Sequence, residues 1–217
     1  MSEVVAAVPM QAWDAIIAHQ LKTPLCAMDA DLRTADTVDV VKLREEILRL
    51  TKLIDTIQLF ARCRDGRTGE RETLALGPIV RQAVTALAPL GCDAGLKMVF
   101  RDLSCDCRIL ADPMLVDEAV RNVIENAMKY SPPRGTINVA VMSTGHVCVL
   151  DCGPGVSPAT GEALFEPFQR GITGKPGSGL GLFLVREIMR HQNGHASLFR
   201  RRGGGSAAVL GFQRAAG

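Results

Sequence analysis

Four short segments of the chain carry residue types that could bind or transfer a charged group. In chain order they are AHQLKTPL at residues 18–25, NVIENAMKY at 122–130, DCGPG at 151–155 and GSGLGL at 177–182. They supply an imidazole, then two amides followed by a lysine and a tyrosine, then a carboxylate, and finally three closely spaced glycines. Each segment could occur by chance, so the elements that position them decide whether they can act together.

His19 is predicted to lie on the solvent side of a first helix. At about 100° per residue, the apolar residues of this helix cluster on the side opposite His19. These apolar residues are Trp13, Ile17, Leu21, Leu25, Met28 and Leu32. A lone histidine is more often solvated than functional. Here, however, Thr23 stands one turn further on, and Pro24 removes an amide donor where no loop is needed. The neighbourhood therefore makes His19 a candidate reactive group.

Asn122 and Asn126 are four residues apart on a predicted helix, so their side chains project together. The apolar residues of the same helix would face a sheet, and they are Leu115, Ala119, Val123 and Ala127. Two amides on a helix surface are usually solvated. This pair, however, is followed by Lys129 and Tyr130, which makes the end of the helix a candidate binding site.

Asp151 ends a predicted apolar strand and leads into Gly153 and Gly155. Alone, this D-x-G-x-G pattern more often marks a tight turn than a binding site. Gly177, Gly179 and Gly181 are the three glycines near the start of a predicted helix, where exposed backbone amides and the helix dipole favour an anion.

The spacing of these last glycines matches neither the dinucleotide-binding fingerprint nor the P-loop. The segment from Val156 to Pro176 precedes them and contains few apolar residues. Connections longer than about 12 to 15 residues are uncommon in a compact domain unless they are functional or disordered. The segment is therefore a candidate lid over a bound anion.

Short strands and helices alternate after residue 70. Strands are predicted at 74–76, 97–101, 108–111, 136–141, 146–151, 196–201 and 206–213, and helices at 78–90, 113–129 and 180–192. Asp112 and Pro113 form a favourable helix start, and Asn193 with Gly194 a favourable stop. This pattern predicts an α/β sandwich with one sheet and its helices on one face.

The first part of the chain is predicted to be a helical hairpin with a turn around residues 35–39. Its second helix has apolar residues that recur by threes and fours, namely Leu43, Ile47, Leu50, Ile54, Ile57 and Ala61. A lone hairpin cannot close a core, so a second copy is expected to complete a four-helix bundle. The polar segment at 62–70 then marks the boundary between domains at 1–66 and 67–217.

Composition excludes several classes of protein. A net charge of +2 is too small for the strongly basic footprint of nucleic-acid binding. The seven cysteines include no C-x-x-C pair, so reduced cytoplasmic thiols are expected. No run of about 18 apolar residues and no signal peptide is present, so we expect no membrane contact from this chain itself.

The four segments together resemble the sensor histidine kinase catalytic core of two-component systems. The H-box of that family has the form His, acidic residue, Leu, basic residue, any residue, Pro. The matching positions are His19, Leu21, Lys22 and Pro24. The resemblance implies that His19 accepts a phosphoryl group and that Thr23 helps to dephosphorylate a partner. Gln20 departs from the pattern, because the family has an acidic residue there that is thought to act as a general base.

The resemblance also implies an α+β fold, in which a Bergerat-type ATP-binding domain follows the dimeric helical bundle. Asn126 would coordinate Mg²⁺, for which an amide oxygen is a suitable hard ligand. Asn122 would position phosphate or water, Lys129 would neutralise phosphate charge and Tyr130 would lie on the adenine side.

For the rest of the nucleotide, the resemblance implies that Asp151 accepts a hydrogen bond from the adenine amine and so selects ATP over GTP. Gly153 and Gly155 would let the backbone approach the base, and Phe168 would belong to the F-box of the ATP lid. The triphosphate would be held by Gly177, Ser178, Gly179, Leu180 and Gly181.

The implied activity is autophosphorylation of His19 in a homodimer, followed by phosphoryl transfer to an Asp of a response regulator. Two alternatives remain. An ATPase of the mismatch-repair or chaperone kind shares the nucleotide motifs but lacks the helix that carries His19. A regulator-binding scaffold or phosphatase with little kinase activity is favoured only by Gln20.

Overall fold

The computed structural model describes residues 10–34, 39–105, 107–157, 161–171, 175 and 178–215. The chain divides into two compact units, Met1–Asp55 and Thr56–Gly217. The division falls inside the second helix, so one helix belongs to both units. None of the helices in the described ranges is long and apolar enough to cross a membrane.

The first unit contains α1 (Met10–Thr34) and most of α2 (Val40–Arg64). Two helices on either side of residues 35–39 agree with the sequence prediction. Asp39 caps α2, because its Oδ1 accepts hydrogen bonds from the amides of Val41 at 3.0 Å and Lys42 at 3.1 Å. Lys42 also forms a 2.7 Å ion pair with Asp31 of α1.

Many apolar side chains of the first unit remain exposed in the single chain. Leu25 is 52% exposed, Leu32 50%, Ile47 50% and Ile54 43%, and all four belong to the predicted apolar stripes. The stripes are therefore only partly covered within one hairpin.

The last turns of α2 pack into the core of the second unit. The Phe60 ring lies 5.1 Å from the Phe183 ring, centroid to centroid, and Cys63 is buried in the same core. Burial, with Asp112 and Glu187 as smaller causes, raises the pKa of the Cys63 thiol to about 11. The thiol is therefore neutral and unreactive at physiological pH.

A five-stranded sheet forms the centre of the second unit. Its order is β2 (Lys97–Leu103), β4 (Thr136–Met142), β5 (His146–Leu150), β7 (Ser206–Gly211) and β6 (His195–Arg200). β2 pairs with β4 in parallel, and the other neighbours are antiparallel. Every predicted strand is present within a few residues of its expected bounds.

The prediction of a single sheet is wrong. β1 (Glu72–Ala75) and β3 (Arg108–Ala111) form a separate antiparallel pair, in which Leu74 lies opposite Ile109. The sequence predicts that Leu76 ends the first of these strands, but Leu76 begins helix α3 (Leu76–Asp93). Pro78 is tolerated near that start because amides of the first helical turn have no intrahelical partner.

Helices α3, α4 (Pro113–Tyr130) and α5 (Gly181–His191) pack with one alternating set of strand residues. In β4 that set is Ile137, Val139 and Val141, all fully buried. The predicted inner face of α4 is buried as expected. At its start Asp112 accepts from the amides of Met114 at 2.9 Å and Leu115 at 3.4 Å. The cap and the apolar face together fix how α4 presents its remaining side chains.

Candidate functional site

The two asparagines of α4 meet the start of α5. Asn122 is only 7% exposed, and its Nδ2 donates to the Glu118 carbonyl at 3.0 Å and to Glu118 Oε1 at 2.8 Å. A Cβ placed on Gly181 would lie 3.2 Å from Asn122 Oδ1 and 3.8 Å from Asn126 Nδ2. The absence of a side chain on Gly181 therefore lets both amides approach the backbone at the start of α5.

The end of α4 meets the loop that follows β5. The Lys129 ammonium lies 5.0 Å from the centroid of the Tyr130 ring, and the Lys129 carbonyl accepts a hydrogen bond from Lys175 Nζ. A Cβ on Gly153 would lie 2.9 Å from the Tyr130 carbonyl oxygen, which is closer than real Cβ atoms come. Gly153 is thus needed for the close contact between these two segments.

Asp151 is held in one orientation by backbone donors. It is 8% exposed, and its Oδ1 accepts from the amides of Gly153 and Ser206, each at 2.8 Å. The Asp151 carbonyl accepts from Arg201 Nη1 at 2.7 Å. Within the described ranges Oδ2 has no hydrogen-bond partner, so it is the oxygen available to a ligand.

The glycine-rich segment before α5 packs against the backbone of Phe168. The Phe168 amide donates to the Gly179 carbonyl at 3.0 Å, and a Cβ on Gly179 would lie 2.7 Å from the Phe168 carbonyl carbon. Gly179 has φ +73°, a conformation that glycine adopts at little cost. Ser178 Oγ accepts from the Leu180 amide at 3.3 Å.

Only part of this predicted segment can be placed. Gly177 lies outside the described residues. The Leu180 side chain is buried, so Leu180 can contribute to a site only through its backbone. The free amides at the start of α5 nevertheless provide the donors and the partial positive charge that an anion requires.

An ion pair anchors the middle of the candidate lid segment to α5. Glu166 Oε1 lies 2.6 Å from Arg186 Nη1, and this hydrogen bond lowers the pKa of the Glu166 carboxyl. Phe165, one residue earlier, is buried in the core. Residues 165–168 are therefore attached to the same helix whose start carries the glycines.

His19, Gln20 and Thr23 lie in α1, which belongs to the other compact unit. Thr23 and Lys22 are exposed. The side chains of His19 and Gln20 fall outside the described part of the chain. Over their described residues, the nucleotide segments therefore contact one another within the second unit, whereas the H-box segment belongs to the other unit.

The donor set at the two asparagines is compatible with Mg²⁺. The described residues contain no group of three or more His, Cys, Asp or Glu side chains that could hold a metal ion. Mg²⁺ does not require such a group, because it usually keeps several waters and takes oxygens from substrate phosphates. Gly181 leaves both asparagine side chains uncovered by a Cβ, and each asparagine carries one amide oxygen of the kind that Mg²⁺ takes as a ligand.

Four residues that contact this site are not predicted from the sequence, and they are Glu118, Lys175, Arg201 and Ser206. Glu118 could have been found from its spacing, because it lies one helical turn before Asn122. Lys175, Arg201 and Ser206 gave no such signal. Each contacts a residue that is 46 to 55 positions away in the chain.

Residues 111–215 match the family of histidine kinase-, DNA gyrase B- and HSP90-like ATPases. The sensor-like histidine kinase SenX3 of Mycobacterium tuberculosis (strain ATCC 25618 / H37Rv) is 28% identical over 211 residues, which cover 89% of this chain and 51% of SenX3. The chain thus spans about half the length of this relative.

Two solved structures share the fold over most of the chain. The Acinetobacter baumannii histidine kinase AdeS gives a TM-score of 0.73 at 20% identity and covers 90% of this chain and 97% of its own. Full-length ShkA, crystallised in complex with AMPPNP, gives a TM-score of 0.67 at 26% identity. The ShkA match covers 97% of this chain and 47% of the ShkA chain.

Proposed function

We propose, on the premise that the chain is the catalytic core of a histidine kinase, that it is an ATP-dependent protein-histidine kinase which phosphorylates its own His19. One observation carries the proposal. In a domain of that ATPase family, the two α4 amides approach the start of α5, and the end of α4 contacts the loop that orients the Asp151 carboxylate. The H-box segment in α1 supplies the acceptor.

In the proposed site, Asp151 Oδ2 accepts a hydrogen bond from the adenine amine, because Oδ1 is already occupied by two backbone amides. A guanine carbonyl at the same place would be repelled, so ATP is preferred over GTP. Gly153 and Gly155 admit the base, and Tyr130 lies beside it.

At the other end, the amides of the glycine-rich segment and the ammonium of Lys129 face the triphosphate. Mg²⁺, when bound, would neutralise phosphate charge, and Asn126 is the residue that would hold it. Asn122 positions phosphate or water with its Oδ1, because its Nδ2 is engaged by Glu118. Phe168 belongs to the lid that covers the nucleotide.

The chemical step requires positioning and charge neutralisation more than covalent assistance from the protein. An unprotonated ring nitrogen of His19 attacks the γ-phosphorus, the bond to the bridging oxygen breaks, and ADP leaves. The neutral form of an imidazole has one unprotonated ring nitrogen, so attack by this form does not itself require a base.

We also propose that the protein acts as a homodimer and passes the phosphoryl group to an Asp of a response regulator. The exposed stripe residues of the hairpin support dimerisation, because a second copy in a four-helix bundle would cover them. Thr23, which is exposed one turn after His19, would assist dephosphorylation of the regulator.

Incubation with γ-labelled ATP tests the proposal. We expect acid-labile, base-stable label in the parent, none in His19→Ala, and a normal amount in the control His146→Gln. Label at the parental rate in His19→Ala would overturn the acceptor assignment. A parent that binds ATP and a receiver domain but takes up no label would instead be the scaffold or phosphatase that Gln20 favours.

A further inference from the structure

We infer that Arg201 is a positioning residue for adenine recognition and that it acts through Asp151. The inference rests on the proposed function, since it concerns how the proposed nucleotide site selects its base. Arg201 lies outside the four motifs, in the turn between β6 and β7.

The turn that carries Arg201 is closed by its own backbone. The Arg201 amide donates to the Gly205 carbonyl at 3.0 Å, and the Gly204 amide donates to the Arg201 carbonyl at 3.2 Å. From this turn the guanidinium reaches the main chain at the end of β5, where Nη1 donates to the Asp151 carbonyl at 2.7 Å. The side chain is partly buried, which shields the hydrogen bond from water.

The same turn contacts Asp151 at three further points. The Ser206 amide donates to Asp151 Oδ1, and the Asp151 amide donates to the Ser206 carbonyl at 3.0 Å. A Cβ on Gly205 would lie 2.0 Å from the Asp151 carbonyl oxygen, so only glycine fits. Asp151 is therefore held at its amide, its carbonyl and one carboxylate oxygen by a single hairpin turn.

In this arrangement Arg201 acts on the position of Oδ2 through the main chain of Asp151, to which its guanidinium donates. If the Arg201 bond were lost, the peptide plane that follows Asp151 could rotate, and this rotation would move the Gly153 amide that holds Oδ1. The hydrogen bond from the adenine amine to Oδ2 would then depart from linearity. It would weaken, because the strength of a hydrogen bond falls steeply as its angle decreases. Contacts with the sugar and the phosphates would not change.

Arg202 provides a matched control. It is the next residue in the chain, carries the same charge and is exposed. A general electrostatic effect on the triphosphate would be felt from both positions. An effect that operates through Asp151 would be confined to Arg201.

The experiment measures the dissociation constants of two nucleotides by competition with a fluorescent ATP analogue. One competitor is ATP and the other is purine riboside triphosphate, which lacks the 6-amino group. We expect Arg201→Ala to weaken ATP about fivefold or more and the purine nucleotide less than about twofold, since loss of one hydrogen bond has an effect of this size. Arg202→Ala should change neither constant, and Arg201→Lys should retain part of the ATP preference.

Two further variants separate this inference from the proposed function. Asp151→Asn should abolish the preference for ATP over the purine nucleotide. Addition of Arg201→Ala to Asp151→Asn should then have no further effect on that preference. If Asp151→Asn abolishes the preference and Arg201→Ala leaves it intact, only the role of Arg201 is overturned. If Asp151→Asn also leaves it intact, the proposed adenine site and the inference are both wrong.

Discussion

The two compact units differ in how completely they bury their apolar residues. In the second unit, side chains such as Leu76, Ile124 and Leu184 are at most 1% exposed. In the first unit Leu25 and Ile47 are about half exposed, although both belong to a regular apolar stripe. Apolar surface removed from water stabilises a fold in proportion to its area. The second unit therefore has a complete core of its own, whereas the first leaves much of its apolar stripe exposed in the single chain.

The helix caps show the same difference. Asp39 of α2 and Asp112 of α4 each accept from two amides with similar distances. Asp39 is exposed, whereas Asp112 is 2% exposed and its amide donates to the Gln192 side chain. The same local motif is thus solvated in one unit and part of the core in the other.

The largest expected effect is a core substitution in the second unit. Leu184→Ala should lower the free energy of unfolding by about 2–5 kcal/mol, because it removes buried methyl groups and leaves a cavity. The matched change Leu25→Ala should cost about 0.5 kcal/mol or less at a concentration where the chain is monomeric. Urea unfolding monitored by circular dichroism measures both variants, and release of a fluorescent nucleotide identifies the transition of the second unit. Equal losses would mean that the units are not differently packed.

A charge on the exposed stripe should disrupt dimerisation without harming the nucleotide site. We expect Ile54→Asp to weaken the dimer at least about tenfold, since burial of an isoleucine contributes roughly 1.5–3 kcal/mol. Leu48→Asp is the control, because Leu48 is 59% exposed on a different side of α2. Sedimentation equilibrium gives both dimer constants. An unchanged dimer in Ile54→Asp would exclude this stripe from the interface.

Gln20→Glu tests whether the chemistry of the first unit can be improved independently of the second. As the bond to phosphorus forms, the imidazole becomes cationic, and a neighbouring carboxylate can accept its proton where an amide cannot. We expect autophosphorylation to be about tenfold faster, with unchanged nucleotide affinity. A single-turnover assay at saturating ATP measures the rate. If the variant were no faster, the lack of a general base at position 20 would not limit the rate of autophosphorylation.

The smallest expected effect distinguishes the two caps. Asp112→Ala should lower the free energy of unfolding by about 1 kcal/mol, because the amides of Met114 and Leu115 would lose their acceptor. Asp39→Ala should cost less, since water can replace its carboxylate at an exposed helix start. Thermal unfolding monitored by circular dichroism compares the two variants. A larger loss of stability in Asp39→Ala would show that burial does not determine how much a helix cap stabilises this protein.

The sequence determined the local elements closely. Asp112 and Pro113 specified the start of α4, and the strand at Arg108–Ala111 has the predicted bounds. Both follow from short-range physics, because side-chain capping and the alternation of apolar residues depend only on neighbours in the chain. Three of the four motifs also name the residues of the proposed nucleotide site, and that assignment stays a prediction.

The tertiary structure alone decided which distant segments meet. The pairing of β1 with β3 outside the main sheet, and the start of α3 at Leu76, depend on packing that no local pattern records. The same is true of the Arg201 side chain on the Asp151 carbonyl, which joins residues 50 positions apart. Periodicity reports the conformation of a segment, but the partner of a buried polar group depends on the topology that brings another segment beside it.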